Sequence, residues 1–185
     1  MDNPNLPPEF ELDGAKLRAL RAADAPALYG YLKNPAVTER TSYPDVSLSL
    51  AELIIEKTQM RWATSELSKW GLARREDDKI IGTCGFNNWS KTDRRAELAF
   101  DLAPEYWGTG LMRQAVTSIL HWSFEHDHID RVLAYVRVDN DRSQGFLQRN
   151  GFIRESRLKD FRVCKGIPHD FYVYRLLKSD WTPDK

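Results

Sequence analysis

The sequence predicts an α/β fold, and three observations support that class. Three β-rich segments between residues 70 and 102 are separated by short polar turns, which is typical of an antiparallel meander. A helical pattern and another β-rich run follow between residues 111 and 138, which predicts a strand-helix-strand crossover and a parallel strand pair. The chain has 185 residues, and at roughly 150 residues per domain this length predicts one domain.

The first 70 residues are predicted to form one short strand and two helices. The strand ends at Leu17–Leu20, and Asp24 is expected to cap a short helix that runs to Leu32. Apolar residues recur near helical spacing over residues 49–67, opposite charged ones, which predicts an amphipathic helix. Its apolar face is expected to comprise Leu50, Leu53, Ile54, Met60 and Trp62.

The meander is predicted to contain strands at 70–75, 79–89 and 95–102. The crossover helix is expected from Leu111 to about His126, because its apolar residues fall at i, i+3, i+4 spacing.

The remaining elements follow that helix. A strand is predicted at 131–138, and Asp139 is expected to cap a last helix, which Asn150 and Gly151 end. Two closing strands, one from residue 152 and one at 171–177, are expected to flank a turn at 165–169.

Composition excludes several classes of function. Lys and Arg number 27 and Asp and Glu number 27, so no overall field attracts nucleic acid or an anionic membrane, and neither partner is expected. The chain shows no signal-peptide pattern and no apolar stretch of about 20 residues. Two cysteines, Cys84 and Cys164, are too few for a disulfide framework, so a cytoplasmic location is expected. Residues 1–8 and 182–185 are expected to fray.

Two glycines, Gly108 and Gly110, lie where the third meander strand gives way to the crossover helix. Such a turn brings backbone N–H groups close to a ligand and predicts an anion cradle. A dinucleotide fingerprint would need a third glycine at Arg113, and a P-loop would need Gly-Lys-Ser/Thr where Leu111 and Met112 stand. The remaining alternative is a tight turn without a ligand.

Four short motifs in order extend this interpretation: AELAFDLAPEYWGTG over 96–110, VDNDRS over 138–143, NGF over 150–152 and HDFYVYRLL over 169–177. Together they resemble the GNAT acyltransferase family, and within it the RimJ/RimL-like branch. The resemblance extends from about residue 14 to residue 181 and includes Arg18 and Asp24. It implies the GNAT fold, a mixed central sheet of about seven strands with helices on both faces.

The resemblance also implies acetyl-CoA as co-substrate, bound between the two parallel strands with its pyrophosphate on backbone amides near Gly108 to Arg113. Trp107 and Met112 depart from the general GNAT pattern, although Trp-Gly-x-Gly is usual in the RimJ/RimL-like branch. Asn140 is expected to contact the cofactor arm, and Ser143 to lie near the sulfur. The full expected set is Phe100, Leu102, Trp107, Gly108, Thr109, Gly110, Leu111, Met112, Arg113, Asn140 and Ser143.

Acetylation of an amine requires a base and the return of a proton to sulfur. Glu97 is the candidate base, since a carboxylate in a central strand lies in a cleft or is paired; the alternative is a structural pair with Arg94 or Arg137. Many GNAT enzymes carry a tyrosine where this chain has Leu147. Ser143, one helical turn earlier, is the candidate proton donor, and its alternative role is capping the helix.

The expected function is acetyl transfer from acetyl-CoA to a primary amine by direct attack in a ternary complex. The acceptor is expected to be a protein or peptide α-amine, or a small amine-bearing molecule. Two alternatives remain at this point: an acyl-CoA sensor of the same fold without turnover, and a nucleotide-binding domain. No metal is expected, since the four histidines lack metal-ligand spacing. A monomer and a homodimer are both compatible with the sequence.

Overall fold

The computed structural model describes residues 6–126 and 128–182. Eight strands form one mixed sheet in the order β1-β2-β3-β4-β5-β6-β8-β7. The strands are β1 (Phe10–Glu11), β2 (Ala15–Arg18), β3 (Lys69–Arg74), β4 (Ile80–Ser90), β5 (Arg95–Leu102), β6 (Arg131–Arg137), β7 (Ile153–Cys164) and β8 (Ile167–Leu177). The helices are α1 (Ala25–Leu32), α2 (Pro35–Thr38), α3 (Leu48–Ala63), α4 (Leu111–Glu125) and α5 (Asp141–Arg149).

The predicted α/β class and the strand-helix-strand crossover are confirmed. Strand β5, helix α4 and strand β6 form that unit, and β5 and β6 pair in parallel, whereas the other neighbouring strands of the sheet are antiparallel. The sheet has eight strands where about seven were expected, and the two-residue β1 is one that the sequence did not predict.

Two apolar cores cover the two faces of the sheet. Consecutive residues of a strand point to opposite faces, so Ile80 joins the core with α1 and α3, while Ile81 joins the core with α4. The α4 core is the larger and contains Trp70, whose ring meets that of Trp62 edge-on at 4.8 Å. Helices therefore lie on both faces, as the resemblance implied.

The expected apolar face of α3 is only partly correct, because Trp62 is buried and Ile54 packs against the core with α1, but other members are not. Leu53 and Met60 are exposed, at 42% and 60% of their accessible surface. The helix instead buries a stripe of small and β-branched residues together with one aromatic residue, namely Ala51, Ile55, Thr58 and Trp62. These residues recur every three to four positions, and three of them, Ala51, Ile55 and Thr58, were not part of the expected apolar face.

Asp24 does not cap α1 through its side chain. Its carboxylate instead receives hydrogen bonds from the Arg18 guanidinium at 2.8 and 3.0 Å and from the backbone N–H of Arg21 at 2.7 Å. Arg18 is almost fully buried, and a buried guanidinium needs such a partner. The ion pair therefore displaces the local capping bond. Among the described residues, no helix combines the length and apolar character needed to cross a membrane.

Candidate active site

The sheet opens between β5 and β6. Their parallel pairing covers only Arg95–Glu97 with Arg131–Leu133. Beyond that point β5 stays paired with β4 as far as Leu102, and β6 stays paired with β8 as far as Arg137. The two strands therefore separate toward their carboxyl ends and leave a gap, the position where open α/β sheets bind ligands.

A cavity of about 320 Å³ occupies one side of this gap. Its lining contains nine of the residues expected to bind the co-substrate: Phe100, Leu102, Trp107, Gly108, Gly110, Met112, Arg113, Asn140 and Ser143. Two members of the expected set do not line it. Thr109 is exposed and donates its hydroxyl to the carbonyl of Tyr106 at 2.7 Å, and the side chain of Leu111 is buried in the α4 core.

The glycine turn has the geometry of an anion cradle. Gly108 and Gly110 have φ angles of +77° and +85°, a region that L side chains rarely adopt, and a Cβ at either position would meet no other atom within 4 Å. Helix α4 starts directly after the turn, and its first hydrogen bond runs from the N–H of Gln114 to the carbonyl of Gly110. The first N–H groups of a helix have no acceptor within the helix and carry the positive end of its dipole.

Three arginines line the same cavity: Arg113, Arg142 and Arg149. The Arg142 guanidinium lies 3.5 Å from the centroid of the Trp107 ring, so α5 and the glycine turn contact each other across the cavity. Burial, together with the nearby charge of Arg40, lowers the pKa of Arg142. Arg142 is nevertheless exposed, and a guanidinium that lines a ligand cavity beside another positive charge gains from an anionic partner.

A second cavity of about 270 Å³ lies on the other side of the gap, and Glu97 is part of its wall. Glu97 is 8% exposed, and its two carboxylate oxygens accept hydrogen bonds from Asn88 at 2.7 Å and from Arg162 at 3.2 Å. The expected alternative partners are wrong. Arg94 pairs with Asp130 and Arg137 with Asp139, whereas Arg162 comes from β7, 65 residues further along the chain.

Asp101 is a residue of the gap that the sequence did not single out as functional. Its buried carboxylate accepts hydrogen bonds from the hydroxyls of Tyr31, Tyr43 and Thr83 and from the backbone N–H of Thr83. Burial and the charge of Asp101 raise the pKa of both tyrosines well above the usual value. These four bonds occupy the acceptor positions of the carboxylate, so Asp101 fastens α1 and the segment around Tyr43 to the sheet.

The first turn of α5 places Asn140 and Ser143 at the gap. The Asn140 side chain, and not that of Asp139, caps this helix by accepting the N–H of Ser143 at 3.2 Å. Asp139 was the expected cap, but its carboxylate pairs with Arg137 at 2.6 Å. Leu147 is fully buried in the α4 core, one turn further along.

The two cavities meet at a shared set of lining residues. Thr41, Phe100, Asp101, Asn140 and Ser143 belong to both. Other residues considered from the sequence lie elsewhere. Cys84 is fully buried, and burial raises the pKa of its thiol. In the part of the chain that the structure describes, no three His, Cys, Asp or Glu side chains converge as metal ligands would.

A mixed sheet that opens between two parallel strands, with a glycine turn and a helix N-terminus at the opening, defines an α/β protein with an anion-binding cleft at the carboxyl ends of its strands. A family model described as "Acetyltransferase (GNAT) domain" matches residues 15–153. The chain therefore belongs to the GNAT acetyltransferase family. This family assignment confirms the expected resemblance and the expectation of an N-acetyltransferase.

Curated relatives extend the assignment. The uncharacterized N-acetyltransferase p20 of Bacillus licheniformis is 30% identical over 167 residues, which cover 90% of this chain and 94% of the relative. The Escherichia coli enzyme named [ribosomal protein uS5]-alanine N-acetyltransferase is 31% identical over 117 residues, 63% of this chain and 60% of that protein. These names agree with the expected RimJ/RimL-like branch.

A solved structure shows the same fold. RimL, the ribosomal L7/L12 alpha-N-protein acetyltransferase, solved in complex with coenzyme A, superposes with a TM-score of 0.79 at 22% identity. The match covers 89% of this chain and 94% of RimL.

Proposed function

We propose that this chain transfers the acetyl group of acetyl-CoA to a primary amine by direct attack within a ternary complex. The observation that carries the proposal is the junction of the two cavities at Thr41, Phe100, Asp101, Asn140 and Ser143. One cavity, beside the glycine turn, is assigned to a phosphate-bearing thioester, and the other, which contains the Glu97 carboxylate, is assigned to the amine. Only at a shared wall can the two reacting groups approach each other.

The cavity at the glycine turn is assigned to acetyl-CoA. The first N–H groups of α4, near Met112 and Arg113, would bind the pyrophosphate, and Arg142 and Arg149 supply further positive charge. Open space around Gly110 allows a ligand to approach the backbone closely. The complex of RimL with coenzyme A supports this assignment by similarity of fold.

The second cavity is assigned to the acceptor, with Glu97 as the base. In the proposed step the neutral amine attacks the thioester carbonyl carbon, the N–C bond forms and the C–S bond breaks. Glu97 accepts the amine proton, directly or through one water, and the Ser143 hydroxyl supplies a proton to the leaving thiolate. Transfer of the proton held by Glu97 to the Ser143 oxygen, through water, restores both residues, and the products are the N-acetylated acceptor and coenzyme A.

An α-amine of a peptide or protein is the preferred acceptor, and a small molecule with one primary amine is the second choice. A reference α-amine pKa near 8, against about 10.4 for lysine, leaves far more neutral nucleophile near pH 7. Relatives named [ribosomal protein uS5]-alanine N-acetyltransferase and ribosomal-protein-serine acetyltransferase support a peptide or protein acceptor.

The test is a thiol-release assay with acetyl-CoA and a panel of short peptides, amino-acid amides, spermidine and an aminoglycoside. The expected result is fastest turnover on a peptide or amino-acid amide, and mass spectrometry should place the acetyl group on the α-nitrogen. Fastest turnover on spermidine would overturn the proposed acceptor class. Absence of thiol release across the panel, with acetyl-CoA bound in calorimetry, would overturn the proposed acceptors altogether.

A further inference from the structure

The hairpin of β7 and β8 contains an irregularity that faces the second cavity. Leu158 pairs with Phe171 and Arg162 with His169, so β7 advances four residues while β8 advances two. Two extra residues therefore bulge from β7. Asp160, within the bulge, has a φ of +48°, which a non-glycine residue adopts only when its surroundings hold it there.

Asp170 holds this bulge. One of its carboxylate oxygens accepts the backbone N–H of Asp160 at 2.9 Å, and the other accepts Arg157 at 2.6 Å. Asp170 lies in the HDFYVYRLL motif, which the assignment of co-substrate and base does not use. The motif therefore has a structural task at the bulge.

The bulge directs the next two side chains over the face of the sheet. The Phe161 ring stacks on that of Tyr135 at 5.2 Å. The Arg162 guanidinium lies between 5.1 and 5.6 Å from the ring centroids of Tyr135, Phe161 and Phe171. From there Arg162 reaches Glu97 at 3.2 Å and the Ser42 hydroxyl at 3.4 Å. An arginine of the outermost strand thus contacts a carboxylate three strands away.

We propose that Arg162 is a positioning residue that holds the Glu97 carboxylate in the orientation needed to accept the amine proton. Asp170, by holding the bulge, fixes the direction in which the Arg162 side chain points. The inference rests on the proposed function, in which Glu97 is the base. Asn88 fixes one oxygen of Glu97 from β4, and Arg162 fixes the other from β7. Two such bonds restrict the rotation of the carboxylate, and the loss of one misplaces the proton acceptor.

The experiment is a double-mutant cycle on the full chain, using the acceptor found in the panel. R162Q is expected to lower kcat about 10-fold to 100-fold while the acceptor KM changes less than about threefold. R162K keeps the positive charge but lacks the planar guanidinium group, so its kcat should lie between those of the wild type and R162Q. In an E97Q background R162Q should have no further effect on kcat, because the carboxylate that Arg162 positions has already been replaced by an amide. D170N should lower kcat in the same direction and by less.

Arg154→Gln is the matched control, since Arg154 is another β7 arginine, stacked on Tyr172 at 4.5 Å and absent from the lining of both described cavities. Its kcat should equal that of the wild type. Additive losses in the cycle, or an R162Q effect confined to acceptor KM, would overturn the positioning role. If R162Q does not fold, the cycle is run with R162K and the same criteria apply. Wild-type turnover of E97Q alone would overturn the role of Glu97 as base, and this inference with it.

Discussion

The side-chain oxygen of Asn140 accepts the backbone N–H of Ser143 at 3.2 Å, and this bond caps α5. Capping by the Ser143 hydroxyl was the structural alternative to a catalytic role. Because Asn140 performs the capping, the Ser143 hydroxyl is not required for that purpose. The two residues should therefore respond differently to truncation.

Ser143→Ala is expected to lower kcat about 10-fold or more, because the leaving thiolate loses its proton donor. The thermal midpoint should stay within about 1 °C of the wild type. Asn140→Ala should instead reduce the free energy of unfolding by about 1 kcal/mol, the usual value of a lost cap. Thermal melts and steady-state rates on both variants separate the roles. A destabilised Ser143→Ala protein with wild-type kcat would contradict the assignment of Ser143 as proton donor and Asn140 as helix cap.

Gly110→Val is expected to weaken acetyl-CoA binding at least 10-fold in calorimetry, because a β-branched side chain fills the open space and disfavours a φ of +85°. Gly14→Val is a matched control. Gly14 has a φ of +76° and similarly open surroundings, but it lies in the turn between β1 and β2. Its backbone strain should be comparable while its affinity for acetyl-CoA is unchanged. Equal affinity of the two folded variants would contradict the cradle.

Glu97→Gln keeps the shape of the side chain and removes its basicity. Turnover should fall about 10²-fold to 10⁴-fold at neutral pH, and affinity for acetyl-CoA should not change. Glu52→Gln, on the exposed side of α3, should behave as the wild type. A loss below threefold accompanied by a lower thermal midpoint would identify Glu97 as a structural partner of Arg162 only.

Acid should weaken the fold through Asp78. Burial alone would raise the pKa of Asp78, but hydrogen bonds from Arg18, Lys16 and Arg21 lower it to about 2. Since the unfolded value is about 3.8, the unfolded chain binds more protons below pH 4. The stabilisation is thus complete above pH 4 and is lost as the pH falls toward 2.

Chemical denaturation of wild type and Asp78→Asn at pH 7, 4 and 2.5 measures this effect. The variant should be less stable at pH 7 and should lose less stability on acidification. Asp45→Asn, at an exposed position, should lose as much free energy of unfolding between pH 7 and 2.5 as the wild type does. An equal loss in the wild type and in Asp78→Asn would contradict the prediction.

The fold class and the glycine turn could be predicted from sequence because their signals are local. The helical period of α4 and the two glycines before it lie within one short stretch, and the resulting crossover admits essentially one hand. Nine of the co-substrate residues that the GNAT resemblance implied line one cavity. They lie on β5, the turn, the start of α4 and the start of α5.

The acceptor side could not be predicted in this way. The contacts of Glu97 with Arg162 and of Asp101 with Tyr31 join residues 65 and 70 positions apart. The first depends on the order of strands in the sheet and on the β7 bulge, and the second on how α1 packs against the sheet. No local pattern specifies either. The partner of Asp24 could not be predicted from the local sequence either. Its sequence context favours a cap, but the buried Arg18 nearby takes its carboxylate.

The short pairing of β5 with β6 also predicts which backbone amides exchange fastest with deuterium. Beyond Glu97 and Leu133, the backbone groups of β5 and β6 on the side of the gap have no ladder partner on the opposite strand. Their amides should exchange with deuterium faster than those of β5 and β6 that face the intact neighbours β4 and β8. On addition of acetyl-CoA protection should appear first in 98–102 and 134–137, and its pattern would record how an extended ligand completes the interrupted ladder.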